Sequence, residues 1–157
     1  MENYLSIMEA SLQKKSAVLD KIREYNEGQH KIFSEGDVDI DKFDEYINKK
    51  DELIEQLSKL DDGFEVLYAK VADELNANRE LYANQIKSMQ QLIKEITDKS
   101  VSIQSQEAAN KALIENYFRK RRIEIKDNRK TADAAYKYYR TFSNPNATSS
   151  GIVDSKK

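Results

Sequence analysis

The sequence predicts an all-α protein: an elongated antiparallel three-helix bundle or coiled coil, continued by an extended C-terminal helix and a flexible tail. Three observations lead there. The 157 residues are 34% charged and include one Pro and four Gly, a composition of helix formers with few breakers. Apolar residues recur at three- and four-residue intervals over long stretches, the spacing of helices that share a narrow seam. Clusters of turn-forming residues near 34–39 and 75–80 cut this pattern into three. A hydrophobic fraction of 39% is low for a compact globule but ordinary for long bundles, which need only one apolar stripe per helix. A single helical domain is expected over 1–142, with helices at about 2–34, 40–75 and 81–128, a short helix at about 131–142, and a tail at 143–157.

The first helix follows from a heptad of Leu5, Leu12, Leu19 and Phe33, with Met8 and Ile22 three residues further on and Tyr4, Val18, Tyr25 and Ile32 beside the seam. Lys15, Asn26 and Gln29 interrupt it. In a buried seam such residues cost stability, and they either fix register or face solvent between helices. Gly36 suits the position after the helix, and Asp37, Asp39 or Asp41 suits the N-cap of the next. The alternating Asp residues do not make a calcium loop, because Lys42 stands where that loop needs Gly and Asn48 where it needs Glu.

The second helix is marked by Phe43, Ile47, Ile54, Leu57, Phe64, Tyr68, Val71 and Leu75, with Leu53, Leu60 and Leu67 alongside. Asp61, Asp62 and Gly63 look like a break, but Leu57, Phe64 and Val71 keep seven-residue spacing across them, so the helix is expected to run through. Asn76 and Asn78 place the second turn near 76–80, with a continuous long helix as the alternative, since Leu75, Tyr82 and Met89 keep heptad phase across it. The third helix carries Leu81, Tyr82, Ile86, Met89, Leu92, Ile93, Ile96, Ile103, Leu113, Ile114, Tyr117 and Phe118. It thins to small Ala108 and Ala109 before turning strongly basic over 119–130. Charge is split along the chain: residues 1–80 hold 11 Lys and Arg against 20 Asp and Glu, residues 81–157 hold 15 against 8. That asymmetry either helps the halves pair or steers a partner.

Little in the chain points to catalysis. With no Cys there is no disulfide, thiolate zinc site or cysteine nucleophile, and the lone His30 makes neither a triad nor a metal site. No phosphate-binding glycine loop occurs. No enzyme activity, cofactor or metal is expected. The absence of a secretory pattern and of any long apolar run leads us to expect a cytoplasmic protein. The basic run at 119–130 has three readings: a solvated helical face, a nucleic-acid or anionic-lipid contact, or part of a protein-recognition segment. Aromatic residues on both sides favour protein recognition over nucleic acid, which is not an expected partner.

Several stretches together resemble the FlgN family of flagellar type III export chaperones, in the version found in Gram-positive anaerobes. They are the turn at Gly36 and Asp37, the segment from Asp41 to Asp61, the run from Leu92 to Phe118 with Asn110 and Leu113 in an Asn-x-x-Leu element, Ala134 to Arg140, and the ending Asp154 to Lys157. The resemblance spans nearly the whole chain. It implies a cytosolic chaperone that binds the helical C-terminal region of hook-filament junction proteins and delivers them to the membrane export gate. It also implies that Asn110, Leu113, Ile114, Tyr117, Phe118, Ile123 and Ile125 form the substrate-binding face, with Tyr136, Tyr138 and Tyr139 as candidates for gate contact. Intramolecular packing is the alternative for each of them. A filament-cap chaperone shares this layout, and a structural or oligomerising coiled-coil adaptor, including a homo-oligomer, is the alternative of a different class.

Overall fold

The computed structural model describes residues 1–34, 37–121 and 137–139. Three long helices make up most of this: α1 (Glu2–Ser34), α2 (Ile40–Ala77) and α3 (Ala83–Lys120). No strand occurs among the described residues. At about 1.5 Å per residue each helix is roughly 50 Å or more in length, so the bundle is elongated.

Local chemistry sets the helix ends. Of the three candidate caps, Asp39 is the one used: its backbone is extended (φ −89°, ψ 92°) and its carboxylate accepts the Lys42 N–H at 3.0 Å. Gly36 lies outside the described residues. Gly63 sits within α2, as the unbroken heptad requires. At the far end Asn78 closes α2 twice over, its backbone N–H and its side-chain amide both donating to the Glu74 carbonyl at 3.0 Å. The turn then runs from Asn78 to Tyr82, held by Leu81 and Tyr82 N–H groups on the Asn78 carbonyl. Leu81 and Tyr82 therefore belong to the turn and not to the helix, with Tyr82 buried and Leu81 exposed. Within the described residues α3 ends at Lys120, and the expected end near 128 lies outside them. Arg121 (φ −118°, ψ 55°) leaves helical geometry and donates its N–H to the Tyr117 carbonyl. Residues 122–136 and 140–157, with the rest of that expected helix, most of the short helix and the tail, lie outside the described residues.

Pairing between helices fixes their directions. Lys15 meets Asp61 and Asn26 meets Lys50, so numbers fall on α2 as they rise on α1, and these two helices are antiparallel. Glu9 meets Ser88 and Asn26 meets Asn110, so α3 runs parallel to α1. Backbone packing is close between α1 and α2 and between α1 and α3. α1 is thus the central helix. The core is the apolar seam read from the heptads: Leu5, Met8, Leu12, Leu19 and Ile22 of α1, Phe43, Ile47, Leu57, Phe64 and Val71 of α2, and Met89, Ile93, Ile96, Ile103 and Ile114 of α3, all nearly inaccessible. Full burial of each such side chain contributes about 1.5–3 kcal/mol.

The two helical glycines differ in what surrounds them. A Cβ on Gly28 would lie 2.7 Å from the ring tip and hydroxyl of Tyr46, which lies across α1 with its ring tilted against Tyr25, 5.7 Å between centres. A Cβ on Gly63 would meet nothing within 4 Å. Urea denaturation should therefore find Gly63→Ala stabilising by about 1 kcal/mol, the helix-propensity difference. Gly28→Ala should give no such gain, and should recover it in a Tyr46→Ala background.

Candidate functional site

The seams are not wholly apolar. Lys15, Asn26 and Gln29 of α1, Lys50 of α2, and Ser100, Glu107 and Asn110 of α3 are all buried, and each falls at a seam position of its helix. The three that interrupt the first heptad are thus core residues, as the register reading requires. Lys15 forms an ion pair with Asp61 at 2.6 Å. Gln29 donates to the Phe43 carbonyl at 3.4 Å.

Nearer the other end lies a larger polar layer. The Lys50 ammonium, with 0% of the residue exposed, donates to the Asn26 side-chain carbonyl at 2.7 Å and to Glu107 Oε1 at 2.8 Å. The Asn26 amide donates to Gln106 at 3.2 Å, and Asn110 donates to the Asn26 backbone carbonyl at 3.1 Å. All three helices contribute. Residues 137–139, which are helical, close the layer from outside. The Tyr138 ring centre lies 4.2 Å from the Lys50 ammonium, and its hydroxyl donates to Glu107 Oε1 at 2.9 Å. Tyr139 stands edge-on to Tyr138, 5.3 Å between centres, and 5.8 Å from the ammonium. Lys137 is close enough to Asp51 of α2 to favour its charge.

Burial governs the protonation of this layer. It lowers the Lys50 pKa to about 8, against the opposing pull of Glu107. Burial and then the Glu107 charge push Tyr138 well above the ordinary tyrosine range, and burial pushes Tyr139 up as well.

The residues implicated by the resemblance are divided by the structure. Asn110 and Ile114 are buried, and the Asn110 amide is engaged by α1. Leu113, Tyr117 and Phe118 are half-buried at the end of α3. Tyr117 packs edge-on against Phe118 and against Phe33 of α1, at 5.6 and 6.3 Å, and the Arg121 guanidinium lies 5.2 Å from its ring centre. Ile123, Ile125 and Tyr136 lie outside the described residues. Tyr138 and Tyr139, candidates for gate contact with intramolecular packing as the alternative, are 1% and 6% exposed, with the Tyr138 ring over Lys50 and its hydroxyl on Glu107. His30 is exposed, on the rim of a groove of about 480 Å³ between α1 and α3. Among the described residues no group of three His, Cys, Asp or Glu is placed to hold a metal ion. None of the described helices is long and apolar enough to cross a membrane.

Lys50 and Glu107 are not singled out by motif or composition. Their signal is spacing alone: Lys50 completes the seven-residue series Phe43, Leu57, Phe64, Val71, and Glu107 lies between Ser100 and Ile114 in another. No known protein family, curated protein or solved structure matches this chain.

Breaking a buried pair strands a charge, whereas replacing both partners does not. Lys50→Met and Glu107→Leu should each cost about 3–5 kcal/mol in urea denaturation, and the double variant should recover much of that loss. pH acts with two signs. Between pH about 8 and 10.5 the unfolded chain binds the Lys50 proton and the folded chain does not, so this group's contribution to stability rises with pH. Above about pH 10 the unfolded tyrosines ionise while Tyr138 and Tyr139 stay protonated in the fold, so stability falls. Urea midpoints of the native chain should rise relative to Lys50→Met up to about pH 10, then fall more steeply than those of Tyr138→Phe.

Proposed function

We propose that this chain is a non-enzymatic flagellar export chaperone of the FlgN type, which holds the helical C-terminal region of a hook-filament junction protein in the cytoplasm and carries it to the membrane export gate. The reading begins from the resemblance along nearly the whole sequence. The observation that supports it most is the half-buried patch at the end of α3, Leu113, Tyr117 and Phe118, where Tyr117 stands against both Phe118 and Phe33 of α1 and Arg119, Lys120 and Arg121 are exposed next in the chain. Aromatic and arginine side chains on a rigid helix are the residue types that dominate binding hot spots. A partner helix laid along them would extend the same seam that α3 shares with α1. The buried members, Asn110 and Ile114, then serve by holding α3 in place.

A structural or oligomerising role is the second reading. Ile7, Val66, Leu81 and Val101 favour it, since each is more than half exposed on the described surface.

Substitution tests the first reading more cleanly than truncation within α3, which would take Glu107 from Lys50. The Tyr117→Ala, Phe118→Ala double variant should stay helical and lose about ten-fold or more in affinity for a helical C-terminal junction-protein fragment, read by calorimetry. Unchanged affinity, or no binding by the native chain, would remove this assignment. A tight oligomer in sedimentation that the fragment leaves closed would favour the second reading.

A further inference from the structure

The contact at Tyr138 has the chemistry of a recognition site. Its floor is a lysine with 0% exposure and its wall a glutamate with 3%, both held by hydrogen bonds, so the site is built into the core. Two groups on the ligand are read separately. The ammonium 4.2 Å from the ring centre attracts an aromatic face, a contact that phenylalanine would also make. The carboxylate 2.9 Å from the hydroxyl requires a donor at the para position, which phenylalanine lacks. Lys50 and Glu107 together are neutral. A cationic ring would be repelled by the lysine, and an anionic one would bring its charge against the glutamate.

We propose that Lys50 of α2 and Glu107 of α3, where Tyr138 covers them, form a binding site for a neutral para-substituted phenol, with the Tyr138 side chain as its resident ligand. The site works by a charge under the ring and an acceptor at its tip. Glu107 Oε2 is buried with no hydrogen-bond partner among the described residues, so the acceptor that the phenol meets is Oε1. The proposal does not rest on the export reading.

The probe is 4-methylphenol, which has the atoms of a tyrosine side chain, and toluene is its counterpart without the hydroxyl. Full-length Tyr138→Ala should show a thermal midpoint raised by several degrees by 4-methylphenol and little changed by toluene at the same concentration. The native chain, with the site filled, should show no rise. Equal stabilisation by the two compounds would overturn the proposal in favour of a plain apolar hole, and no shift in a folded Tyr138→Ala would overturn it outright. If that variant does not fold, Tyr138→Phe keeps the ring and loses only the donor. Amide hydrogen exchange over 137–139 should then be about ten-fold faster than in the native chain, the effect of one lost hydrogen bond. An unchanged rate would refute the role of the hydroxyl.

Discussion

A lysine ammonium fully withdrawn from water is the constraint on which the rest of this bundle depends. Its desolvation costs several kcal/mol and is offset only if partners stand at hydrogen-bond distance and in the right directions. Here they come from different helices, Asn26 from α1 and Glu107 from α3, with the Tyr138 ring over the top. Apolar heptads alone tolerate a slip of one repeat, since one Leu or Ile fits much like another. A slip here would leave Lys50 against a hydrocarbon wall. The polar layer therefore fixes the axial register of α2 and α3 against α1, and Lys15 with Asp61 repeats the constraint nearer the other end. The asymmetry of packing fits this picture. α1 is in close backbone contact with both other helices, while long side chains such as Lys50 and Glu107 carry the link from α2 to α3.

The architecture was readable because it is written in spacing. Seven-residue series in Leu, Ile, Phe and Val give helix number, approximate length and the continuity of α2 through Gly63, and paired Asn residues mark the second turn. The polar members Lys15, Asn26 and Gln29 are legible as seam residues for the same reason. Their partners are not, since the pairing of position 50 with 107 depends on how three helices align. Ile123 and Ile125 extend the apolar rhythm of α3 past Arg121, the last described residue of that stretch, so the expected end near 128 lies outside the described residues.

The candidate site was legible in part. Helical periodicity places Asn110, Leu113, Ile114, Tyr117 and Phe118 on one side of α3, and the structure separates them by depth: two in the core, three at its margin. A single sequence does not distinguish an apolar stripe that meets its own bundle from one that meets a partner, because burial follows the same rule in both. The tyrosines at 138 and 139 show this most sharply. As a sequence they read either as gate contacts or as groups packed back on the bundle; in three dimensions their rings stand over a charge buried 88 residues before Tyr138, at Lys50.

The two polar layers also differ in when they become possible. Lys15 and Asp61 both lie within the α1–α2 hairpin, so their pair forms as soon as those helices meet. Lys50 is in the same hairpin but needs Glu107, which arrives only with α3, and Tyr138, which arrives later still. Because sequence-distant contacts pay the larger loop-closure entropy, topology orders assembly from the hairpin outward. The α1–α2 hairpin alone gives Lys50 only Asn26 as a partner, so the ammonium has its countercharge only once α3 is in place.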